Sequence, residues 1–309
     1  MNQLDILIIN YNSTEKLLNC LDSLFRNAPD IGVNVFVYDN NSHDGVDVVS
    51  RLFPQVSLTM GSKNIGFSSA VNRLLEKVTA PYIMLLNPDT TIIDGFFKTV
   101  MSYMDANPEV GIVGPKVVNR DGSTQGSARL FPTLNTAFFG RTSLLTRLFP
   151  NNRISRANIL TLSSNGRSLL EPDWISGACM VVRRQAFQDV GPLDERFFMY
   201  WEDADWCKRM WQAGWKVVYN PNFAIMHTVG GSSSTAIVRS VFSFHQSTYK
   251  FFCKHNQTSY PPIRLAVLSV LSLRLTAVLM THGIRKLILP VSKETESEES
   301  VYQGAERLN

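Results

Sequence analysis

Residues 4–12 read Leu4-Asp5-Ile6-Leu7-Ile8-Ile9-Asn10-Tyr11-Asn12, an apolar run broken only by Asp5 that stops in three polar residues. A strand buried on both faces has this texture, because neither face needs polar alternation. Asn12 with Glu15 then makes a capping-box-like helix start, and Leu17, Leu18, Leu21, Leu24 and Phe25 mark one helical face. The rhythm repeats: strands are expected at 34–38, 56–60 and 82–86, with helices at 46–53, stopped by Pro54, and at 68–78. Strands alternating with helices at this spacing build right-handed βαβ units, and hence a Rossmann-like, mostly parallel α/β sheet covered on both faces.

In such sheets the ligand lies outside the carboxyl ends of the strands. Asn10-Tyr11-Asn12, Asp39-Asn40-Asn41-Ser42, Asn64-Ile65-Gly66 and Asn87-Pro88-Asp89 each follow an expected strand, so all four fall along one edge. Any one alone reads as an ordinary polar turn. Beyond them, 121–170 loosens into an insertion or lid. Regularity returns with Trp174-Ile175-Ser176-Gly177-Ala178, a strand at 179–183, a helix at about 202–213, and strands at 216–219 and 224–226 that deliver His227 and the loop Gly230-Gly231-Ser232.

Three groups of residues carry candidate chemistry. Asp89 and His227 are hard or borderline metal ligands at strand ends, with Asn87 on the same turn as Asp89; together they could hold a divalent ion that keeps positions open for a diphosphate. For His227 alone, a packed structural histidine is the plain alternative. Glu202-Asp203-Ala204-Asp205 lies between Trp201 and Trp206. At a helix start, Asp205 can pair with Lys208 or Arg209, leaving a carboxylate free as general base for a sugar hydroxyl; simple acidic decoration of the helix N-terminus is the alternative. Asp39 could accept the imide N–H of uracil or thymine and reject cytosine, or serve as a turn aspartate.

The chain has 309 residues, 44% hydrophobic and 18% charged, and a mean hydropathy of −0.03. That fits one large domain or two small ones and excludes a disordered chain, a collagen-like repeat and a polytopic membrane protein. Four cysteines without a CxxC pair suit a reducing compartment, here the cytoplasm, and no basic segment precedes the short apolar run that would have to be a signal peptide. Net charge is +4, unevenly spread. The segment 291–309 is an acidic, solvated tail, whereas no acid occurs between Trp206 and Ser292, a stretch holding Arg239, Lys250, Lys254, Arg264, Arg274, Arg285 and Lys286. Apolar runs at 265–273 and 275–284 meet at Arg274, each too short to span a bilayer by itself. A helix lying in an anionic membrane interface is the expected reading, with a soluble helix pair or a true span as alternatives. Nucleic acid is not expected, because these bases are interleaved with Leu and Val rather than with stacking aromatics.

The order Asn10-Tyr11-Asn12, Asp39-Asn40-Asn41-Ser42, Asn64-Ile65-Gly66-Phe67 with Asn72, Asn87-Pro88-Asp89, Trp174 with Ser176-Gly177-Ala178, Trp201-Glu202-Asp203-Ala204-Asp205 and His227 resembles the family 2 inverting glycosyltransferases of the GT-A fold. Within them it is most similar to bacterial rhamnosyltransferases of O-antigen and cell-wall polysaccharide assembly. The resemblance implies a catalytic domain over 1–235, with a nucleotide-sugar half at about 1–120 and an acceptor half at about 171–235, followed by the membrane-associating region 236–290. It implies that Asp39 reads the pyrimidine, that Asn64 and Gly66 line the nucleotide pocket, and that Asn87, Asp89 and His227 surround Mg²⁺ or Mn²⁺ on the diphosphate. Asp203 would be the catalytic base, with Trp174, Gly177, Trp201 and Glu202 near the acceptor. The implied reaction moves L-rhamnose from dTDP-L-rhamnose to a polyprenyl-diphosphate-linked sugar, GlcNAc being the expected one, at the cytoplasmic face of the inner membrane. A UDP-sugar transferase and a non-catalytic membrane-associated binding subunit are the alternatives. The family's Asp-x-Asp metal motif has Asn87 at its first position here, one negative charge fewer.

Overall fold

A computed structural model describes residues 3–28, 32–131, 158–163, 166–228, 237–256 and 260–288. The loop 230–232, the tail 291–309 and most of the expected insertion lie outside them, as do the side chains of Arg285 and Lys286. The chain begins β1 (Leu4–Asn10), α1 (Thr14–Asn27), β2 (Val33–Asp39), α2 (Val48–Leu52), β3 (Val56–Met60), α3 (Phe67–Leu75), β4 (Tyr82–Leu86). It continues through β5 (Thr90–Ile92), α4 (Phe96–Ala106), β6 (Val110–Val118), β7 (Ala128–Arg129), the short α5 (Leu160–Ser163), β8 (Trp174–Ile175), β9 (Cys179–Arg183), α6 (Arg184–Val190), α7 (Glu202–Gln212), β10 (Lys216–His227), α8 (Ile237–His255) and α9 (Pro261–Ile288).

The central sheet is eight-stranded, ordered β3-β2-β1-β4-β9-β6-β10-β5. Its first four strands are parallel, β9 runs antiparallel between β4 and β6, and β5 closes the far edge antiparallel to β10. β1 is buried along its whole length, as its apolar run requires. Ile6 and Ile8 join the core under α1, α2 and α4, whereas Leu7 and Ile9 join the core under α3, α6 and α7. Asp5 is tolerated in this interior because it accepts Thr79 N–H at 2.6 Å, Ala80 N–H at 2.8 Å and Asn34 Nδ2 at 2.6 Å, so its burial leaves no lone carboxylate.

Three local expectations change. The capping box at Asn12 does not form: Asn12 adopts φ +48° and accepts His43 N–H. The start of α1 is instead satisfied from the β2–α2 loop, where Asp44 accepts both the N–H and the hydroxyl of Thr14 at 2.7 Å. The two expected strands at 216–219 and 224–226 are one strand, β10, whose register against β6 shifts between Asn220 and Ala224; Pro221 lies in that interval and has no N–H for the ladder. The helix expected through Arg274 is present as the 28-residue α9.

The third change concerns the bases of α8. They were expected to face no acid, yet Lys254 Nζ lies 2.7 Å from Asp194 and 2.6 Å from Asp205, and Lys250 Nζ donates to Arg196 O at 2.7 Å. Their counter-charges come from α7 and the loop before it, which sequence proximity could not reveal. α8 thereby docks on α7 and the loop before it, burying Phe251 beside Phe197 and Ala204.

Candidate active site

Strand pairing explains why the polar clusters meet. Asp39 ends β2 beside Asn10 at the end of β1. Its carboxylate is fully buried; Oδ1 accepts Asn10 Nδ2 at 2.9 Å and Ser42 Oγ at 2.6 Å, and Oδ2 accepts Ser42 N–H at 2.8 Å. Asn40 ties this strand end to the next loop by accepting Ile65 N–H at 2.8 Å and donating to Gly66 O at 3.2 Å, while Asn64 Oδ1 accepts Gly66 N–H at 3.0 Å. Gly66 has φ +87°, and a Cβ there would stand 2.7 Å from the Phe198 ring and carbonyl. Glycine is therefore required twice, by conformation and by space. Next to it, Phe67 N–H donates to Phe198 O at 2.7 Å and Ser68 Oγ to Phe197 O at 2.7 Å, stitching the loop before α7 onto the start of α3.

Asp89 precedes β5 and His227 ends β10; because these strands pair antiparallel with His227 opposite Thr90, the two side chains converge. His227 Nε2 lies 3.2 Å from Asp89 Oδ1. That oxygen is buried and, among the described residues, accepts no hydrogen bond of normal geometry. Burial disfavours the Asp89 anion, but His227 and Lys16 outweigh it and hold its carboxyl below the usual range. Asn87 is close by in the chain, its N–H bonded to Ala178 O at 3.0 Å. A carboxylate oxygen and an imidazole nitrogen meet here and Asn87 adds an amide in the next turn of chain, donor types that Mg²⁺ or Mn²⁺ accepts; the Asp89 oxygen without a hydrogen-bond partner among the described residues is the observation that fits such an ion, although those residues hold no cluster of three or more His, Cys, Asp or Glu able to bind a metal.

The same segment holds the catalytic candidate. Gly177 N–H donates to Asp203 Oδ2 at 3.0 Å, one residue from the carbonyl that anchors Asn87, so the metal candidates and Asp203 hang from one short stretch of chain. Ala204 N–H donates to Asp203 Oδ1 at 2.7 Å. Burial raises the Asp203 carboxyl, opposed by these two N–H groups and by Arg129. Glu202 is buried with Oε2 lacking a hydrogen-bond partner among the described residues; burial first, and the neighbouring Asp203 charge second, push it well above the carboxylate range. Both carboxyls are thus raised, Glu202 the further, so Asp203 is the readier of the two to ionise. Asp205 is committed elsewhere: its fully buried carboxylate meets Arg209 at 2.9 Å, Lys254 at 2.6 Å and His255 at 2.8 Å. Arg209 is the expected partner, whereas Lys208 lies over the Phe131 and Phe251 rings.

The backbone enters α7 under strain. Tyr200 and Trp201 have φ +70° and +71°, a conformation costly for residues with a Cβ and concentrated at functional sites. Trp201 packs against Trp174, Phe244 and Phe251 at centroid distances of 6.2, 6.0 and 5.0 Å, and its buried Nε1 has no hydrogen-bond partner among the described residues. Trp174 donates to Leu130 O at 3.1 Å and lies under the Arg129 guanidinium, 5.1 Å from its centroid. Apolar faces with unfilled polar positions beside a carboxylate are what a sugar hydroxyl can use. Sequence reasoning missed Arg129, Gln125 and the α8 aromatics Phe244 and Phe251; the first two sit in an irregular stretch and the last two in a helix read only for its basic residues.

The family described as "Glycosyltransferase like family 2" matches residues 2–243. This chain is a family 2 glycosyltransferase. The transferase is 30% identical over 289 residues to the "N-acetylglucosaminyl-diphospho-decaprenol L-rhamnosyltransferase" of Mycobacterium tuberculosis, a match covering 88% of this chain and 91% of that one. It is 24% identical over 229 residues to the "dTDP-rhamnosyl transferase RfbF" of Shigella flexneri, covering 73% and 69%. Among solved structures, the mannosyltransferase PcManGT from Pyrobaculum calidifontis in complex with GDP-Man and Mn²⁺ superposes with a TM-score of 0.56 at 15% identity, covering 97% of the transferase and 84% of that chain. At that identity the likeness establishes the GT-A fold expected from the sequence.

Proposed function

We propose that this glycosyltransferase moves L-rhamnose from dTDP-L-rhamnose to a hydroxyl of a polyprenyl-diphosphate-linked GlcNAc, with inversion, in O-antigen or cell-wall polysaccharide assembly. The observation that carries this reading is the near full-length likeness to the mycobacterial relative. The Asp203–Glu202 arrangement supports the chemistry. Asp203, aimed by the Gly177 and Ala204 N–H groups, takes the proton of the acceptor hydroxyl. The oxygen forms its bond to the anomeric carbon on the face opposite the diphosphate, the bond from that carbon to the diphosphate oxygen breaks, and configuration inverts. Trp174 and Trp201 offer ring faces to the acceptor sugar, with Gly177 and Glu202 beside them.

On the donor side, Asp39 has one lone-pair direction beyond its bonds to Asn10 and Ser42 and is assigned the pyrimidine imide, with Asn64 and Gly66 shaping the nucleotide pocket. Asn87, Asp89 and His227 would hold Mg²⁺ or Mn²⁺, which when bound neutralises charge on the departing diphosphate. The loss of one charge at Asn87 favours weaker metal binding than a paired Asp-x-Asp gives.

The acceptor's lipid requires the enzyme at a membrane, and α9 supports a peripheral place on its cytoplasmic face. Over 261–281 its mean hydropathy is 1.9 and none of it is buried, so by length and composition it could cross a membrane. Its partly covered residues Arg264, Val267, Leu271, Arg274 and Val278 recur every three or four positions along the side that meets α8. Leu265, Leu268, Leu273 and Met280 are exposed. Arg274 folds back over the Phe244 ring of α8 at 5.6 Å. An apolar side facing acyl chains with a cation retained against the protein suits a helix in the interface.

The test is sugar transfer to a GlcNAc-diphosphate-lipid analogue from dTDP-L-rhamnose and a panel of UDP-sugars, with and without Mg²⁺ or Mn²⁺. Transfer from dTDP-L-rhamnose alone, lost on chelation, supports donor and metal site together. Transfer from a UDP-sugar overturns the donor, and absence of transfer from every donor overturns the enzyme reading for this acceptor.

A further inference from the structure

β6 and β10 run parallel, with Val118 opposite Met226, so the turn that leaves β6 stands beside the end of β10. Asn119 N–H donates to Ser123 O at 2.8 Å and Gln125 N–H to Val117 O at 2.9 Å, closing the turn. Gln125 Nε2 donates to His227 O at 2.9 Å and fastens the turn to β10. Arg120 rides on it. Its Nε donates to Thr228 Oγ1 at 3.3 Å, and Thr228 N–H donates in turn to the Asp89 carbonyl at 2.9 Å. The guanidinium is thereby carried to the place where Asp89 and His227 meet. A second base reaches Asp89 from another element: burial works against the Asp89 anion, and the charge of Lys16, in the first turn of α1, is among those that outweigh it. Neither base is neutralised within the fold. No carboxylate among the described residues lies within ion-pair distance of Arg120 or Lys16, and Asp121, next to Arg120 in the chain, turns its carboxylate to the N–H and hydroxyl of Ser123 at 2.9 and 2.5 Å. Arg120 is exposed and Lys16 half-buried, so a ligand can reach both. Asn87, where the family's metal motif carries an acid, adds no negative charge beside them.

We propose that Arg120, assisted by Lys16, binds the donor's diphosphate beside Asp89 and neutralises the charge that grows on it as the sugar leaves. The proposal rests on the reading of this strand edge as the donor site. A guanidinium offers phosphate oxygens paired N–H groups, and an ammonium adds a point charge; both act where charge develops in the transition state. Charge held on side chains is not removed by chelation, so this part of the affinity for a nucleoside diphosphate persists without a metal ion.

The experiment titrates the full chain with dTDP by calorimetry, in EDTA and again with Mn²⁺, and with thymidine by ligand-observed NMR; thermal melts verify that each variant is folded. Arg120→Met should weaken dTDP binding by about 10–100-fold, the worth of a hydrogen bond to a charged group, and leave thymidine binding unchanged. Arg120→Lys, which keeps the charge without the paired N–H groups, should recover part of the loss, and Lys16→Met should weaken dTDP binding alone in the same way. Wild-type binding of dTDP that Arg120→Met leaves intact overturns the proposal while the donor reading stands, even if the KM for the acceptor rises. Equal weakening of dTDP and thymidine marks a change in the shape of the pocket and also overturns it. A wild-type chain that binds no dTDP, with or without Mn²⁺, overturns the donor reading and the proposal with it.

Discussion

Exchanging the two adjacent carboxylates of α7 for their amides separates base from bystander. Asp203→Asn keeps shape, but its one oxygen can accept only one of the Gly177 and Ala204 N–H groups, which bond different oxygens of the aspartate, and it cannot take a proton. Removing a general base costs about 10²–10⁴ in rate, which is about 3–5 kcal/mol of barrier. Glu202 is held protonated by burial and by the Asp203 charge, so Glu202→Gln replaces one neutral, hydrogen-bonding group by another. Its expected cost is about 1 kcal/mol, the net worth of one hydrogen bond, or about fivefold. The assay is initial-rate transfer of radiolabelled rhamnose to the GlcNAc-diphosphate-lipid analogue at saturating donor, with circular dichroism to verify folding. Because the base works ionised and burial raises its pKa, wild-type kcat/KM should fall on acidification at a higher pH than an ordinary carboxylate would set. Asp203→Asn within tenfold of wild type, or Glu202→Gln as damaged as Asp203→Asn, refutes the division of roles.

Glu202→Gln should also stabilise the protein in a pH-dependent way. The raised folded-state pKa means the folded chain retains a proton the unfolded chain releases, so stability falls as pH rises above about 4.3, by about 1.4 kcal/mol per pH unit until the folded pKa is reached; the variant lacks this slope, and parallel thermal melts from pH 4 to 8 would contradict it. Gly66→Ala must place a Cβ at φ +87° and 2.7 Å from Phe198, costing about 2–4 kcal/mol and lowering Tm by roughly 5–10 °C; an unchanged melt would refute the close approach. Replacing Leu265, Leu268 and Leu273 together by Ser should abolish co-flotation with anionic vesicles while transfer to a short-chain, water-soluble acceptor persists. Wild-type protein that ignores vesicles contradicts the membrane role of α9, and resistance to alkaline extraction would replace the interfacial helix by a span.

How much of this was legible depended on how local the determining forces are. Strands β1 and β4 were readable because strands buried on both faces leave near-continuous apolar runs, and the run 82–86 coincides with β4. The approach of Asp89 to His227 and the pairing of Asp205 with Arg209 followed from element order and helix spacing. What sequence could not show were interactions fixed only by tertiary contact. Asp44 caps α1 from another loop, Asp194 and Asp205 neutralise bases on α8, and Gln125 reaches His227 from an irregular turn with no period to betray it.

The central claim is direct displacement at the anomeric carbon by a hydroxyl that Asp203 deprotonates, and product stereochemistry tests it most directly. Proton and carbon NMR of the disaccharide formed from dTDP-L-rhamnose should show an anomeric configuration opposite to that of the donor. A product that retains the donor configuration would contradict the single-displacement mechanism and the role given to Asp203.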